Sequence, residues 1–201
     1  MTTQADIGRA LAGRRMEAVV IGASAGGIDA LLTLLPPLPR GYRLPLVCIL
    51  HMPADRESRL PELFAQRLNL PAREAVDKEA VEPGTVYFAG PGYHLSIERD
   101  RTFSLSQEAP VHFARPSIDV LMESAADAYG PGLAGILLTG ANHDGADGMA
   151  HVRQCGGLTV VQDPAEAQSA TMPAQAIRRA APHLVLPLAR IAALLPMLEN
   201  P

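Results

Sequence analysis

Three polar residues that could carry out nucleophilic catalysis each follow a short apolar run of the sequence. Ser24 comes after residues 18–22, His51 after residues 46–50, and Asp144 soon after residues 133–139. A serine hydroxyl is too weakly acidic to attack a carbonyl carbon alone at neutral pH. It needs a histidine that accepts its proton and a carboxylate that orients the imidazole. The three residue types therefore predict a nucleophilic serine enzyme if the fold brings them together.

The apolar runs have the pattern of strands that are buried on both faces. They are uninterrupted rather than alternating, as in a parallel sheet covered by helices. Residues 158–162 and 184–186 read as two further strands. Helical patterns lie at 28–35, 59–68, 117–129, 173–180 and 191–198. Between residues 71 and 110 the apolar segments are brief and separated by Gly, Pro and charges, which indicates hairpins or edge strands. The sequence predicts a doubly wound, mainly parallel α/β sheet with a β-hairpin at one edge. Such sheets place ligands at the carboxyl ends of their strands, where Ser24, His51 and Asp144 would meet.

The glycine-rich turn from Gly22 to Gly27 has more than one interpretation. It matches G-x-S-x-G, in which a sharp strand-to-helix turn exposes a serine oxygen. A phosphate-binding loop and mere tight packing are the alternatives. A P-loop would need a following lysine, and a dinucleotide fingerprint would need G-x-G-x-x-G, so this turn fits neither pattern. The chain order serine, histidine, aspartate also differs from the order in α/β-hydrolases.

Composition narrows the function classes. The net charge of -4 and the 4% aromatic content give no support to a nucleic-acid partner. Cys48 and Cys155 are interpreted as free thiols in a reducing compartment. No apolar stretch approaches the ~18 residues of a membrane helix, so we expect a cytoplasmic protein without membrane insertion. The 201 residues suit a tail at 1–16 and one catalytic domain at 17–201.

A metal site is an alternative to these interpretations. His143, Asp147 and His151 are spaced so that one helix face could present all three. However, Gly145 and Gly148 predict a poor helix there, so no metal site is expected. His94 and His112 are interpreted as structural or surface residues.

With these residues assembled, the chain resembles the catalytic domain of the CheB-type chemotaxis receptor methylesterases. The matching segments span roughly residues 18–195: Ile21–Gly27, His51-Met52-Pro53, Arg115–Leu121, Leu138-Thr139-Gly140, Asp144-Gly145-Ala146 and Met172-Pro173. The resemblance implies hydrolysis of glutamyl methyl esters on the cytoplasmic helices of methyl-accepting chemoreceptors, with release of methanol, and deamidation of certain receptor glutamines. Other signalling proteins are further candidate partners, and no cofactor is implied.

The resemblance also implies a role for each site residue. Ser24 would be the nucleophile, His51 the general base and acid, and Asp144 its orienting carboxylate. The backbone N–H groups of Ala25 and Ala141 would form the oxyanion hole.

The loop at 141–143 departs from the family pattern. The family usually has Thr-Gly-Met-Gly before the residue that precedes the aspartate, whereas this chain has Thr139-Gly140-Ala141-Asn142-His143. This difference motivates a second hypothesis, a catalytically degenerate member that binds receptors or signalling proteins without turnover. A third hypothesis takes the turn at 22–27 as the anion loop of a nucleotide-binding domain.

Overall fold

In a computed structural model, which describes residues 2–51 and 58–199, strands and helices alternate except at 72–106, where four strands follow one another. The strands are β1 (Ala18–Ala23), β2 (Leu46–Leu50), β3 (Ala72–Glu74), β4 (Val86–Phe88), β5 (His94–Ile97), β6 (Phe103–Ser106), β7 (Leu133–Leu137), β8 (Leu158–Gln162) and β9 (Leu184–Leu186). The helices are α1 (Gln4–Leu11), α2 (Gly27–Leu34), α3 (Leu60–Ala65), α4 (Ile118–Tyr129), α5 (Ala146–Gln154), α6 (Thr171–Ala180) and α7 (Leu188–Leu194).

Seven of these strands form one sheet in the order β3-β4-β2-β1-β7-β8-β9. Every neighbouring pair in it is parallel. The chain runs outward from β1 through β2, then returns to the other side of β1 and continues through β7, β8 and β9. The strand order therefore reverses beside β1, which is the place where open α/β sheets bind ligands at their carboxyl edge. The predicted doubly wound fold is confirmed.

Two apolar layers cover the sheet. Side chains alternate along β1, so that Val19, Ile21 and Ala23 pack in one layer while Ala18 and Val20 pack in the other. The first layer contains buried residues of α1, α2, α3 and α7, and the second contains those of α4, α5 and α6. The antiparallel pair β5–β6 also packs in the second layer. Burial on both faces explains why the strands read as uninterrupted apolar runs.

Most elements lie where the sequence predicts them, and two helices do not. The predicted bounds of β2, β8 and β9 are those observed. The segment 1–16 contains α1, which has a capping box between Thr3 and Asp6 and which buries Ile7 and Leu11. The expectation of a poor helix after Gly145 is wrong, because α5 begins at Ala146 and includes Gly148. A Cβ at position 148 would lie 2.7 Å from Met122 Cβ, so this glycine lets α4 and α5 pack closely. None of the helices in the described ranges combines the length and apolar character that crossing a membrane requires.

Candidate active site

Ser24 and His51 occupy equivalent positions at the ends of two neighbouring parallel strands. Ala23 pairs with Leu50 in the register of β1 and β2, and the His51 N–H continues the ladder by donating to the Ala23 carbonyl at 3.1 Å. Ser24 therefore lies opposite His51, at a strand spacing of about 4.8 Å. Because side chains alternate, both residues fall on the face that α4, α5 and α6 cover.

Asp144 lies in the loop after β7, on the other side of β1, in a pocket of hydrogen-bond donors. Its side chain is fully buried. Oδ1 accepts from Ser117 Oγ at 2.7 Å and from the Asp119 N–H at 3.0 Å. Oδ2 accepts from the Ile118 N–H at 2.7 Å and pairs with His51 Nε2 at 2.7 Å. The N-terminal turn of α4 thus supplies donors that a buried carboxylate needs to stay ionised.

The donors set the charge of this carboxylate. Burial alone would raise the pKa of Asp144, but the hydrogen bonds from His51, from the Asp119 and Ile118 N–H groups and from Ser117 hold it below its ordinary value. Asp144 is therefore an anion at neutral pH. It can stabilise a positive charge that develops on His51.

The pKa of Asp119, in the same turn, shifts in the opposite direction to that of Asp144. Burial, opposed by the hydrogen bond from the Gly148 N–H and reinforced by the negative charge of Asp144, raises the pKa of Asp119 to about 7. Two carboxylates this close disfavour joint ionisation, so the proton resides on Asp119 while Asp144 keeps its charge.

The His51 ring is held at both nitrogens. Nε2 faces Asp144, and Nδ1 lies 3.3 Å from Asn142 Nδ2. An amide nitrogen only donates, so Nδ1 is the acceptor and the proton of the neutral ring lies on Nε2. The Asn142 carbonyl oxygen in turn accepts from the Asp144 N–H at 3.3 Å. Within residues 2–51 and 58–199, Ser24 Oγ has no hydrogen-bond partner, and the polar neighbour of His51 Nδ1 is the Asn142 amide.

Glycines bring the site elements into contact. A Cβ on Gly22 would lie 2.4 Å from Ile118 Cγ2, and a Cβ on Gly145 would lie 2.9 Å from the same atom. Only glycine at these positions lets the start of α4 approach β1 and the Asp144 loop closely enough to donate to the carboxylate. Gly26, at φ +80° before α2, makes the sharp turn after Ser24.

Thr139 stabilises the turn that carries Ser24 by two hydrogen bonds. Its hydroxyl donates to the Ala25 carbonyl at 2.8 Å, and its carbonyl accepts from the Ser24 N–H at 2.9 Å. Ala25 and Ala141 are exposed residues, and neither N–H donates to another group within residues 2–51 and 58–199. An oxyanion hole needs N–H groups without such partners.

The remaining candidate residues from the sequence have separate positions. His143 contacts Gln175, Asp147 pairs with Arg179, and His151 pairs with Asp127, so these three side chains have separate partners and do not converge on one metal-binding point. His94 is buried and accepts from the Ser117 N–H at 3.2 Å, a structural role beneath the Asp144 pocket. Met52 and Pro53 lie outside the described residues.

Sequence reasoning did not assign a site role to Ser117, Asp119 or Asn142. In the sequence, Ser117 and Asp119 lie at the start of the helical pattern 117–129 and in the segment Arg115–Leu121 that matches the family. The free N–H groups of a helix start are the signal that points to an anion-binding role there. Asn142 stands out in the sequence as a departure from the family pattern.

The fold and the residues at the carboxyl edge of the sheet define a hydrolytic enzyme of the doubly wound α/β class. Residues 19–195 match the family described as CheB methylesterase. With this match, and with relatives more than 30% identical over most of its length, the chain belongs to the CheB methylesterase family.

Two curated relatives and one solved structure illustrate the similarity. A Leptospira interrogans relative with the provisional name protein-glutamate methylesterase/protein-glutamine glutaminase is 46% identical over 184 residues, which are 92% of this chain and 95% of the relative. The protein-glutamate methylesterase/protein-glutamine glutaminase of Caldanaerobacter subterraneus is 38% identical over 88% of this chain and 50% of the relative. The crystal structure of the Thermotoga maritima CheB methylesterase catalytic domain matches with a TM-score of 0.86 at 31% identity, covering 91% of this chain and 98% of that one.

Proposed function

We propose that this protein hydrolyses glutamate methyl esters on the cytoplasmic helices of chemoreceptors and releases methanol. We further propose that it deamidates receptor glutamines in the cytoplasm. The names of the relatives support the two reaction types. The observation that carries the proposal is the 2.7 Å pair between His51 and the buried Asp144, directly opposite Ser24 in the register of β1 and β2.

Ser24 is the nucleophile of the proposed reaction. Its Oγ attacks the ester carbonyl carbon and passes its proton to His51, whose positive charge Asp144 stabilises. The N–H groups of Ala25 and Ala141 bind the oxyanion of the tetrahedral intermediate. When the intermediate collapses, the methoxy group leaves and takes the proton from His51 as methanol. A water then attacks the acyl-enzyme and gives its proton to His51, and the free glutamate leaves as Ser24 is restored. A glutamine substrate follows the same steps and releases ammonia.

Asn142 controls access to the base in this scheme. The lone pair that must accept the Ser24 proton is on Nδ1, which Asn142 occupies at 3.3 Å. The amide must therefore give way to the serine hydroxyl when substrate binds. This contact joins two neutral groups, so its displacement costs about 0.5–1.5 kcal/mol.

The test is methanol release from a methylated chemoreceptor cytoplasmic fragment. We expect Ser24→Ala to lower kcat by at least about 10⁴-fold while the protein stays folded. Ser96→Ala is the matched control, because Ser96 pairs with Ser104 in the separate two-stranded sheet of β5 and β6. Unchanged turnover in Ser24→Ala would remove Ser24 from the mechanism.

A second candidate function is receptor binding without turnover. The occupied Nδ1 of His51 is the observation that favours it. Binding of the methylated fragment with no methanol release, at any pH at which the protein is folded, would establish this function and exclude the first.

A further inference from the structure

A second group of chemically active side chains lies at the far end of the two helices that form the Asp144 pocket. Asp127 is in the last turn of α4, His151 is in the last turn of α5, and Cys155 caps α5. His151 Nε2 lies 2.7 Å from Asp127 Oδ1 and 3.6 Å from Cys155 Sγ. One ligand atom from each residue lies within 4.8 Å of the other two.

The geometry excludes a second catalytic triad. A cysteine nucleophile needs its histidine to relay between two partners, with the thiol on one ring nitrogen and the carboxylate on the other. Here both the Cys155 thiol and the Asp127 carboxylate face the same ring nitrogen, His151 Nε2. Burial and the negative charge of Asp127 also raise the pKa of Cys155, which weakens it as a nucleophile.

The closeness of the ligand atoms of Asp127, His151 and Cys155 suits a metal ion. Zinc takes sulfur at about 2.3 Å and nitrogen or oxygen at about 2.0–2.2 Å, so tetrahedral ligands are about 3.6 Å apart for S···N and about 3.4 Å for N···O. The Sγ···Nε2 distance of 3.6 Å meets the first value. The Asp127 carboxylate, whose side chain is 56% exposed, can rotate outward to meet the second. Metal binding releases the Cys155 thiol proton to solvent, and the resulting thiolate, with an imidazole and a carboxylate, favours zinc over the hard cations magnesium and calcium.

The surrounding structure also favours a cation. Both helices direct the negative ends of their dipoles toward this cluster. His151 is 35% exposed at the side chain, which leaves room for entry and for a water as fourth ligand. The other group of potential ligands among the described residues, His112, Asp119 and Asp147, lacks a sulfur, and both of its carboxylates are engaged, by Gly148 and by Arg179.

We propose that Asp127, His151 and Cys155 bind a zinc ion that joins the C-terminal ends of α4 and α5. Asp119 and Asp127 are eight residues apart on α4, which places the zinc site about 12 Å along the helix from the Asp144 pocket. The ion would hold together the two helices whose first turns surround Asp144. This proposal does not depend on the proposed esterase activity.

The test is a titration of the reduced, metal-free full chain with Co²⁺ and then Zn²⁺. We expect a cobalt–thiolate charge-transfer band, visible bands of tetrahedral intensity, loss of both when Zn²⁺ is added, and a higher Tm with Zn²⁺. Cys155→Ser should abolish the thiolate band, and His151→Gln should weaken Zn²⁺ binding by more than about tenfold. Cys48→Ala is the thiol control, because Cys48 is fully buried in β2 and should leave the band unchanged.

Two outcomes would overturn the proposal. One is the absence of a cobalt–thiolate band in the wild-type chain. The other is Zn²⁺ binding that survives Cys155→Ser and His151→Gln but is lost in His112→Gln, which would place the ion at the other cluster. Circular dichroism of each variant without metal confirms that a loss of binding is not a loss of folding.

Discussion

Ser117→Ala isolates one hydrogen bond to the buried carboxylate of Asp144 without touching His51 or Ser24. The hydroxyl donates to Oδ1 at 2.7 Å, and after its removal the Asp119 N–H at 3.0 Å is the remaining donor to that oxygen. A hydrogen bond to a charged group contributes about 1.5–3 kcal/mol. Loss of this donor to the ionised form should therefore raise the pKa of Asp144. For a chain of this size the free-energy loss lowers the Tm by roughly 3–12 °C.

The pH dependence of this effect has a definite sign. The pKa of Asp144 is lower in the folded protein than in the unfolded chain, so its ionised form contributes stability above its ordinary pKa of 3.8. That contribution is lost as the pH falls through the folded pKa. The Tm difference between wild type and Ser117→Ala should therefore be largest near neutral pH and should shrink in acid.

The assay is thermal unfolding followed by circular dichroism across the pH range, with Ser96→Ala as the control. Activity at about pH 8 should be largely retained, because Asp144 stays ionised there even after the shift. A Tm difference that is absent, or that is the same at acidic and neutral pH, would refute the description of Ser117 as a donor to a buried anion.

Three further substitutions test neighbouring parts of the site. Gly22→Ala places a Cβ 2.4 Å from Ile118 Cγ2, so it should cost about 1–3 kcal/mol in urea unfolding and lower kcat by displacing the start of α4. Asp119→Asn should gain stability relative to wild type as the pH rises from about 4 to 7. The raised pKa of Asp119 makes the wild-type fold lose stability across that range, and asparagine cannot ionise. Asn142→Ala should raise kcat about 2–10-fold, because it frees Nδ1 of His51 from a neutral hydrogen bond.

For each of these expectations, one experimental result would contradict it. Gly8→Ala is the control for Gly22→Ala, since a Cβ at position 8 meets no atom within 4 Å, and equal stability losses would exclude a steric cause. A pH-independent stability difference for Asp119→Asn would show that its carboxyl titrates normally. A fall of more than tenfold in kcat for Asn142→Ala would make the asparagine a positioning residue for His51 rather than a competitor of Ser24.

The strands were predictable because a strand that is buried on both faces is an uninterrupted apolar run in the sequence. The runs at 46–50, 158–162 and 184–186 became β2, β8 and β9 with the same bounds. Helix α5 was not predictable from propensity, because Gly148 costs helix stability locally and its benefit is close packing on Met122 of another helix. Helix α1 was visible in principle, since Thr3 and Asp6 form a capping box ahead of Ile7 and Leu11.

The site also contains residues that the sequence predicts and residues that it does not. The order of the strands was enough to expect Ser24, His51 and Asp144 at one edge, because parallel neighbours end together. The donors to Asp144 come from Ser117 and the first turn of α4, 25 to 27 residues earlier in the chain. No sequence spacing relates them to Asp144, since their approach depends on two glycines in other elements. The Asn142 contact with Nδ1 depends on the path of the loop after β7, which the sequence pattern does not specify.

Covalent labelling by a serine-directed fluorophosphonate, mapped by mass spectrometry of the digested protein, tests the central claim most directly. We expect one label per chain, on Ser24, and a labelling rate that falls by orders of magnitude in His51→Gln, because the hydroxyl is then left without its base. A label on another residue, or labelling of Ser24 at the wild-type rate in His51→Gln, would contradict the account of Ser24, His51 and Asp144 as one nucleophilic unit.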